Sequence, residues 1–238
     1  MSKYLVTGGT GGIGGVVVQR LLALDHQVML TMRDPDAARP LGTAFVVADL
    51  WGWDPGPTAR MVKHVAETFG GPIDGIFHGA GEAPVRPLAA HRDEYAQAMW
   101  AATSAYGLLV AASQRDIVAA GARIVLMSSV AAHRGVAGMV AYSAAKASIE
   151  GMVRSAAIEL SPRGVLVNAV AAGGFRSAMH DRITKKMPQA AIDNYARAHP
   201  LGIGSQEQVA QAVMPLLLDT NTWQTGSVVV CDGGFLAG

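Results

Sequence analysis

Cysteine is almost absent from this chain of 238 residues, in which Cys231 is the single thiol. One thiol cannot form an internal disulfide, which excludes a disulfide-stapled secreted scaffold and favours a reducing, cytoplasmic compartment. No stretch approaches the roughly 18 consecutive apolar residues of a membrane span. The N-terminal MSKYLVTGG also lacks the long apolar segment of a signal peptide. We therefore expect no membrane anchor and no secretory leader.

Charge is scarce as well. Only 16% of the residues are charged, the formal net charge is +1, and the 19 lysines and arginines form no basic run. This pattern gives no electrostatic reason to expect a nucleic-acid partner. The 7 histidines are dispersed without the spacing of metal ligands, so we predict no metal site. Half of the residues are hydrophobic, which is typical of a well-buried globular enzyme.

Short apolar runs alternate along the chain with longer amphipathic segments. The runs are apolar throughout rather than alternating, as in parallel strands that are covered on both faces. The predicted strands are Tyr4–Val6, Gln27–Thr31, Ala44–Val47, Gly75–His78, Arg123–Met127, Leu166–Val170 and Ser227–Cys231. The predicted helices are Gly14–Leu24, Pro57–Phe69, Asp93–Ala120, Ala141–Leu160 and Gln206–Leu218.

Parallel neighbours need crossover connections, so this alternation predicts an α/β fold. We expect a single doubly wound, Rossmann-type domain over residues 1–238, with a seven-stranded parallel sheet flanked by helices. The segment between Thr31 and Ala44 is short and proline-containing, and we expect a loop or a single turn there. Residues 175–203 are the least regular in pattern and follow a strand end, where they would overhang a ligand crevice.

A glycine-rich segment, TGGTGGIG at 7–14, follows the first predicted strand and opens the first predicted helix. Glycines allow the backbone to turn tightly and approach a pyrophosphate, and the helix N-terminus supplies N–H groups and positive dipole. The candidate phosphate-binding residues are Gly8, Thr10, Gly12, Ile13 and Gly14. The alternative is a glycine-rich turn that binds no ligand.

Two strand ends suggest how an adenosine would be held. Arg33 follows the second predicted strand, where an arginine suits the 2′-phosphate of NADPH and an acid would suit NADH. We therefore favour NADPH over NADH, although Arg33 can also be a solvated surface residue. Asp49 and Leu50 follow the third strand and can contact the adenine, while a plain strand-end aspartate is the other interpretation.

A serine, a tyrosine and a lysine form the candidate chemical centre. Tyr142 and Lys146 are four residues apart and lie on one helix face, and Ser129 follows the preceding strand. A free tyrosine has a pKa of about 10, and we expect the lysine ammonium to lower it. Tyr142 can then give a proton to a carbonyl oxygen that Ser129 also holds. Taken alone, this spacing is common and often marks a structural pair.

With these segments in place, the sequence resembles the short-chain dehydrogenase/reductase family over essentially its whole length. The resemblance rests on TGGTGGIG, Asp49-Leu50, HGAG at 78–81, SS at 128–129, YSAAK at 142–146, VNAVAAGG at 167–174 and TGSVVVCDGG at 225–234. It implies that Ser129, Tyr142 and Lys146 are catalytic and that Lys146 and Tyr142 also contact the cofactor. Further cofactor contacts are implied for Gly79, Ala80, Gly81, Gly173 and Ser177, with Asn168 supporting the loop. The family commonly forms homotetramers.

The chain departs from the family pattern at three places. His78 replaces an asparagine after the fourth strand, and Ala172 replaces a proline. Ala102 stands where the family has a helix asparagine that anchors a water of the proton relay, and Thr103 or Ser104 can replace it.

Within the family, the general pattern is nearest to 3-oxoacyl-[acyl-carrier-protein] reductases, which HPLGIGSQEQVAQAV at 199–213 also resembles. We expect NADPH-dependent reduction of a ketone, such as a 3-oxoacyl thioester on an acyl carrier protein or a polyketide-like ketone, by a homotetramer or homodimer. Ser129 and Tyr142 would hold the carbonyl, and Val136, Met139 and Met179, with Met187, would form an apolar floor. Candidate basic residues for a carrier protein are Arg123, Arg134, Arg163, Arg176 and Arg182, although scattered surface arginines are the simpler interpretation. The alternative function is a cofactor-binding protein with little or no catalysis that acts by association.

Overall fold

The computed structural model describes residues 1–32, 44–48, 50, 52, 54–90, 92–185 and 187–238. Seven strands form one sheet in the order β3-β2-β1-β4-β5-β6-β7, and every neighbouring pair is parallel. The strands are β1 Lys3–Thr7, β2 Gln27–Met32, β3 Ala44–Val47, β4 Ile73–His78, β5 Val118–Ser129, β6 Leu166–Ala172 and β7 Val228–Cys231. The predicted doubly wound, seven-stranded parallel sheet is confirmed.

The described helices cover both faces of this sheet. They are α1 Gly12–Ala23, α2 Gly56–Thr68, α3 Glu94–Ala112, α4 Val140–Leu160, α5 Ala178–Thr184, α6 Gln189–Arg197 and α7 Gln206–Leu217. One apolar core lies under α2, α3 and α4, and a second lies under α1 and α7. Adjacent residues of β1 serve different cores, since Leu5 packs in the first and Val6 in the second. Burial on both faces explains why the strands are apolar throughout.

The sheet order changes direction between β1 and β4, the two central strands that flank the switch. Ligands of doubly wound folds bind in the crevice outside the carboxyl ends of the strands at such a point. The glycine-rich segment follows β1, and His78 ends β4. The candidate residues at these strand ends therefore meet at one edge of the sheet.

The predicted helix Asp93–Ala120 is wrong in its last part. The helix ends at Ala112, and Ser113 caps it by donating a hydrogen bond from its hydroxyl to the carbonyl of Val110. The chain turns there, and Val118 already belongs to β5, paired with Ile73. The apolar residues of this stretch join the sheet because they are buried against β4.

Residues 175–203, expected to be the least regular part, contain two helices. The Ser177 side chain accepts a hydrogen bond from the backbone N–H of His180 and so starts α5. Pro188 precedes α6 as its N-cap residue. The segment expected as a loop between Thr31 and Ala44 lies, at 33–43, outside the described residues. Among the helices that the structure describes, none is long and apolar enough to cross a membrane.

Candidate active site

The glycine-rich segment forms an open cradle at the N-terminus of α1. Gly8 and Gly12 have φ of +71° and +53°, a backbone region that favours glycine. A Cβ on Gly14 would lie 2.2 Å from the carbonyl oxygen of Gly8, whereas none would meet an atom within 4 Å at Gly11 or Gly12. Gly11, the N-cap residue of α1, has no side chain that could cap the helix. The backbone N–H groups of this helix start therefore face open space, as the binding of a diphosphate requires.

A cavity of about 290 Å³ lies over this cradle. Most of the candidate cofactor residues line it, namely Gly8, Thr10, Gly12, Ile13, Gly14, Leu50, Gly79, Ala80, Gly81 and Ser177. Gly173 and Tyr142 instead line the neighbouring cavity, which also contains Ser177. Arg33 and Asp49 lie outside the described residues, so their cofactor contacts stay predictions. The cavity, the bare helix start and the close glycine packing fit a dinucleotide.

His78 shows how the chain accommodates the departure from the family's asparagine. Its ring is 1% exposed, and Nδ1 lies 2.7 Å from the Thr7 hydroxyl while Nε2 lies 3.0 Å from the carbonyl oxygen of Ala101. Burial lowers the pKa of His78 to about 4, so the ring is neutral at neutral pH. A neutral ring that donates from Nε2 accepts from the Thr7 hydroxyl at Nδ1. The histidine thus joins β1, β4 and α3 beside the cradle.

Ser129, Tyr142 and Lys146 are brought together by β5 and α4. Ser129 ends β5 and lines a cavity of about 90 Å³ together with Tyr142. Lys146 is 5% exposed, donates from Nζ to the carbonyl oxygen of Met127 over 2.8 Å, and lies 5.6 Å from the centroid of the Tyr142 ring. A Cβ built on Gly81, which lines the larger cavity, would be 3.6 Å from the same Nζ. The lysine therefore stands between the two cavities.

The protonation of this group differs from what the sequence led us to expect. Burial raises the pKa of Tyr142 to about 12, a hydrogen bond with the Ser129 side chain lowers it in part, and an electrostatic interaction with the Tyr195 phenol adds to the rise. Burial also lowers the pKa of Lys146 to about 8. The predicted fall in the tyrosine pKa is wrong for this arrangement, because the largest influence on Tyr142 is burial, which disfavours the charged phenolate. Tyr142 is consequently protonated at neutral pH and suited to donate a proton.

The two residues that were expected to replace the relay asparagine face other partners. Thr103 donates from Oγ1 to the carbonyl of Met99 over 3.2 Å. Ser104 donates to the carbonyl of Ala101 over 3.1 Å and lies 3.2 Å from Nε2 of His78. Neither hydroxyl bonds directly to Lys146, and the replacement of the relay asparagine by Thr103 or Ser104 stays a prediction. The sequence alone does not show what these two hydroxyls bond to. In the helix, each donates a hydrogen bond to a backbone carbonyl of the preceding turn.

Sequence reasoning missed two polar residues behind the candidate centre, Glu150 and His133, which join Ser128 of the serine pair. Glu150 is 6% exposed and accepts a hydrogen bond of 2.5 Å from the Ser128 hydroxyl. The same oxygen lies 2.9 Å from Nε2 of His133. Glu150 follows Lys146 by one helical turn, and this i, i+4 spacing was the available signal. The cluster ties α4 to β5 and to the segment after it, beside the backbone that presents Ser129.

The candidate substrate residues share the smaller cavity. Val136, Met139 and Met179 line it together with Ser129 and Tyr142, as predicted, while Met187 does not line it. Asn168, expected to support the cofactor loop, instead donates to the carbonyl of Gln224 over 2.7 Å and accepts from the N–H of Ser227 over 3.1 Å. It therefore joins β6 to the segment before β7.

Tyr195, His199 and Phe235 form an aromatic group at the same cavity that sequence reasoning also missed. Tyr195 and Phe235 line the cavity, and His199 packs edge-on to Tyr195 at 4.8 Å and stacks on Phe235 at 4.7 Å between ring centroids. Arg134 lies over Phe235 at 4.7 Å and donates to its carbonyl.

In the part of the chain that the structure describes, no group of three or more potential metal ligands occurs.

Comparisons with known proteins agree with this architecture. Residues 8–236 match the family model described as enoyl-(acyl carrier protein) reductase. The chain belongs to the short-chain dehydrogenase/reductase family. It is similar to the 3-oxoacyl-[acyl-carrier-protein] reductase MabA of Mycobacterium tuberculosis, with 30% identity over 98% of this chain and 92% of that protein. As a member of this family, the protein is an NAD(P)-dependent dehydrogenase/reductase.

Solved structures of relatives extend over the same length. The TT0495 protein of Thermus thermophilus has a TM-score of 0.88 and 28% identity, covering 100% of this chain and 99% of that one. A blue fluorescent protein from a metagenomic library, solved in complex with NADPH, has a TM-score of 0.85 and 25% identity, covering 98% and 97%. The fold and the nicotinamide cofactor class thus agree with the cradle described above.

Proposed function

We propose that the protein is an NADPH-dependent ketone reductase in which Ser129, Tyr142 and Lys146 are the catalytic residues. The observation that carries the proposal is the placement of Ser129 and Tyr142 in one small cavity, with Lys146 between that cavity and the glycine-lined one. A carbonyl held by the serine and the tyrosine would lie next to the part of the larger cavity where a nicotinamide fits. The whole chain acts as one cofactor-binding domain, with 175–203 as its substrate segment.

Residues of the chain would orient the substrate and donate the proton. A reduced nicotinamide, when bound, supplies a hydride to the carbonyl carbon. The Ser129 hydroxyl donates a hydrogen bond to the carbonyl oxygen, and Tyr142 transfers its phenolic proton to that oxygen as negative charge develops there. The ammonium of Lys146 stabilises the resulting phenolate, and solvent returns the proton. The backbone of Gly12 and Ile13 at the start of α1 would hold the diphosphate.

The preference for NADPH rests on Arg33, whose guanidinium suits a 2′-phosphate. Support comes from the relative that was solved with NADPH. We expect Arg33→Ala to weaken NADPH binding by at least about tenfold, the loss of one charge-assisted contact, and to change NADH binding by less than about twofold. Fluorescence titration with each cofactor measures both effects, and an equal loss for both would refute the 2′-phosphate contact.

For the substrate, we propose a 3-oxoacyl thioester or a related polyketide-like ketone, presented free or on an acyl carrier protein. The support is the similarity to MabA and the apolar lining by Val136, Met139 and Met179. Of the five arginines considered for a carrier protein, Arg123, Arg134 and Arg163 donate to backbone carbonyls of the chain itself. Arg176 and Arg182, next to and within α5, are the better candidates. A homotetramer or homodimer and a cytoplasmic location stay predictions.

The test is NADPH oxidation with three substrates: acetoacetyl coenzyme A, its ester analogue methyl acetoacetate, and crotonyl coenzyme A. We expect oxidation with the two ketones and none with the crotonyl thioester, which has a carbon–carbon double bond in place of the ketone. Reduction of the crotonyl thioester alone would contradict the proposal. Tight NADPH binding without oxidation by any of the three would instead favour the alternative, a cofactor-binding protein that acts by association.

A further inference from the structure

Tyr195 places a second phenol at the cavity that contains Tyr142. It comes from α6, in the segment that covers the cleft, whereas Tyr142 comes from α4 below. Both line the same cavity of about 90 Å³, and the two groups interact electrostatically. The cavity is well below the roughly 300–1,000 Å³ of pockets for drug-sized ligands. A short substrate in it would therefore contact both phenols.

The ring of Tyr195 is held from several sides. His199 is 2% exposed, and its Nδ1 lies 2.8 Å from the backbone carbonyl oxygen of Tyr195. Its Nε2 lies 2.9 Å from the backbone nitrogen of Gly174 and accepts that N–H, so the proton is assigned to Nδ1. A Cβ on Gly174 would lie 2.8 Å from the Tyr195 oxygen, which shows how closely the phenol rests on this turn. The hydroxyl therefore has a fixed position at the cavity wall.

The hydroxyl has no hydrogen-bond partner in the part of the chain that the structure describes. Among the hydrogen bonds of the described residues, none uses the Tyr195 oxygen. Burial raises the pKa of Tyr195, so the group is a neutral O–H donor at neutral pH. Phe235 lies 6.1 Å from Tyr195 between ring centroids, and the same cavity is lined by the apolar Ile183 and by the polar Ser177 and His180. A donor without a partner at the cavity wall discriminates between ligands, because a ligand that offers no acceptor leaves it unpaired.

We propose that Tyr195 is a specificity residue that donates a hydrogen bond to a second oxygen of the substrate, close to the ketone that is reduced. The preferred substrates are accordingly ketones with a neighbouring carbonyl or hydroxyl, and simple monoketones are disfavoured. This inference rests on the proposed function and narrows it. In a 3-oxoacyl thioester, the thioester carbonyl supplies the second oxygen.

The test compares methyl acetoacetate with 2-hexanone, which has the same chain length but lacks the second carbonyl. Tyr195→Phe removes the hydroxyl and keeps the ring, so the apolar wall is unchanged. We expect kcat/KM for methyl acetoacetate to fall about tenfold and that for 2-hexanone to change less than about twofold. Tyr106→Phe, at a tyrosine of α3 that is 51% exposed, is the matched control and should change neither.

Binding is measured in parallel, so that the result does not depend on turnover. Calorimetric titration of the NADP⁺-loaded protein gives the affinity of each ketone for the wild type and for Tyr195→Phe. A selective weakening of methyl acetoacetate supports the inference, even if neither ketone is reduced; that outcome would reject the proposed function alone. Equal effects on both ketones, or no binding of methyl acetoacetate by the wild type, would overturn the inference while ketone reduction could still hold. The melting temperature of the variant is recorded to verify that it folds.

Discussion

The two walls of the small cavity are built in different ways. The lower wall, formed by the end of β5 and by α4, has eight buried residues on α4, including Lys146 and Glu150. The upper wall, formed by α5 and α6, has none among the residues that the structure describes. The lower wall also carries the Ser128–Glu150–His133 hydrogen bonds, whereas the described upper wall is tied down chiefly through His199 and Tyr195.

This difference in packing matches two different requirements, proton transfer and substrate choice. Proton transfer needs a donor that is fixed to within a fraction of an ångström, which packed helices and strands provide. Substrate choice tolerates, and often needs, a cover that opens, and such segments have few buried contacts. We therefore assign the chemistry to the lower wall and the discrimination between ketones to the upper wall.

The largest expected effect comes from removing the phenolic proton of the lower wall. Tyr142→Phe should lower kcat with methyl acetoacetate by about 10³-fold, within the range for loss of a general acid. NADPH affinity should change less than about twofold, since the phenol contributes one neutral hydrogen bond at most. Steady-state rates and cofactor fluorescence measure the two quantities.

Tyr195→Phe makes the matched comparison on the upper wall. It should keep most of the activity towards 2-hexanone, which Tyr142→Phe should lose. Similar losses of 2-hexanone reduction in both variants would contradict the assignment of chemistry to the lower wall and of substrate discrimination to the upper wall.

A second comparison uses one isoleucine from each wall. Ile149 on α4 is fully buried, and Ile192 on α6 is only partly buried. We expect Ile149→Ala to lower the free energy of unfolding by about 2–5 kcal/mol, the cost of a core cavity. Ile192→Ala should lower it by less than about 1 kcal/mol. Urea denaturation measures both, and equal costs would show that the cover is packed as firmly as the lower wall.

A fourth prediction concerns pH and His78, on the strand that adjoins the lower wall. Its pKa is about 4 in the folded chain and about 6.5 when unfolded. Between these values the unfolded chain binds a proton that the folded chain does not, so stability falls as the pH drops from about 6.5 to about 4. The shift corresponds to about 3 kcal/mol.

Comparison with His78→Asn isolates this effect from that of the carboxylates. The variant should lose about 3 kcal/mol less than the wild type over this pH range, as measured by urea denaturation at several pH values. His64→Asn, at an exposed histidine of α2, serves as the control and should behave as the wild type. A wild type and a His78→Asn variant with the same acid sensitivity would show that His78 is not buried in neutral form.

The sequence was sufficient to predict the sheet and to bring the main candidate site residues to one edge of it. The apolar runs located all seven strands, because parallel strands buried on both faces leave a continuous hydrophobic signal. The glycine-rich segment and the Ser129, Tyr142 and Lys146 set could be placed because strand ends and helical spacing bring them to one edge. The prediction extended the helix after Asp93 too far, because only the pairing with β4 shows that Val118 belongs to a strand.

Other features depend on contacts that no local pattern reveals. His78 and Ser104 are 26 residues apart and meet only when α3 packs on β4. Glu150 and Ser128 are separated by 22 residues, and their bond requires α4 to return along β5. Tyr195 belongs to a short helix without buried residues, and its place on the cavity wall depends on how that helix lies over the cleft. The pKa of Tyr142 also depends chiefly on burial, which the local sequence does not show.

Transfer of a hydride from a nicotinamide to a ketone carbon is the central claim, and isotope labelling tests it most directly. The wild-type protein is incubated with methyl acetoacetate and NADPH that carries deuterium at C4, using each stereoisomer in turn. The account predicts that the methyl 3-hydroxybutyrate formed with one of the two stereoisomers contains one deuterium at its carbinol carbon, as seen by mass spectrometry. An alcohol without deuterium from either stereoisomer, or no alcohol at all, would contradict the account.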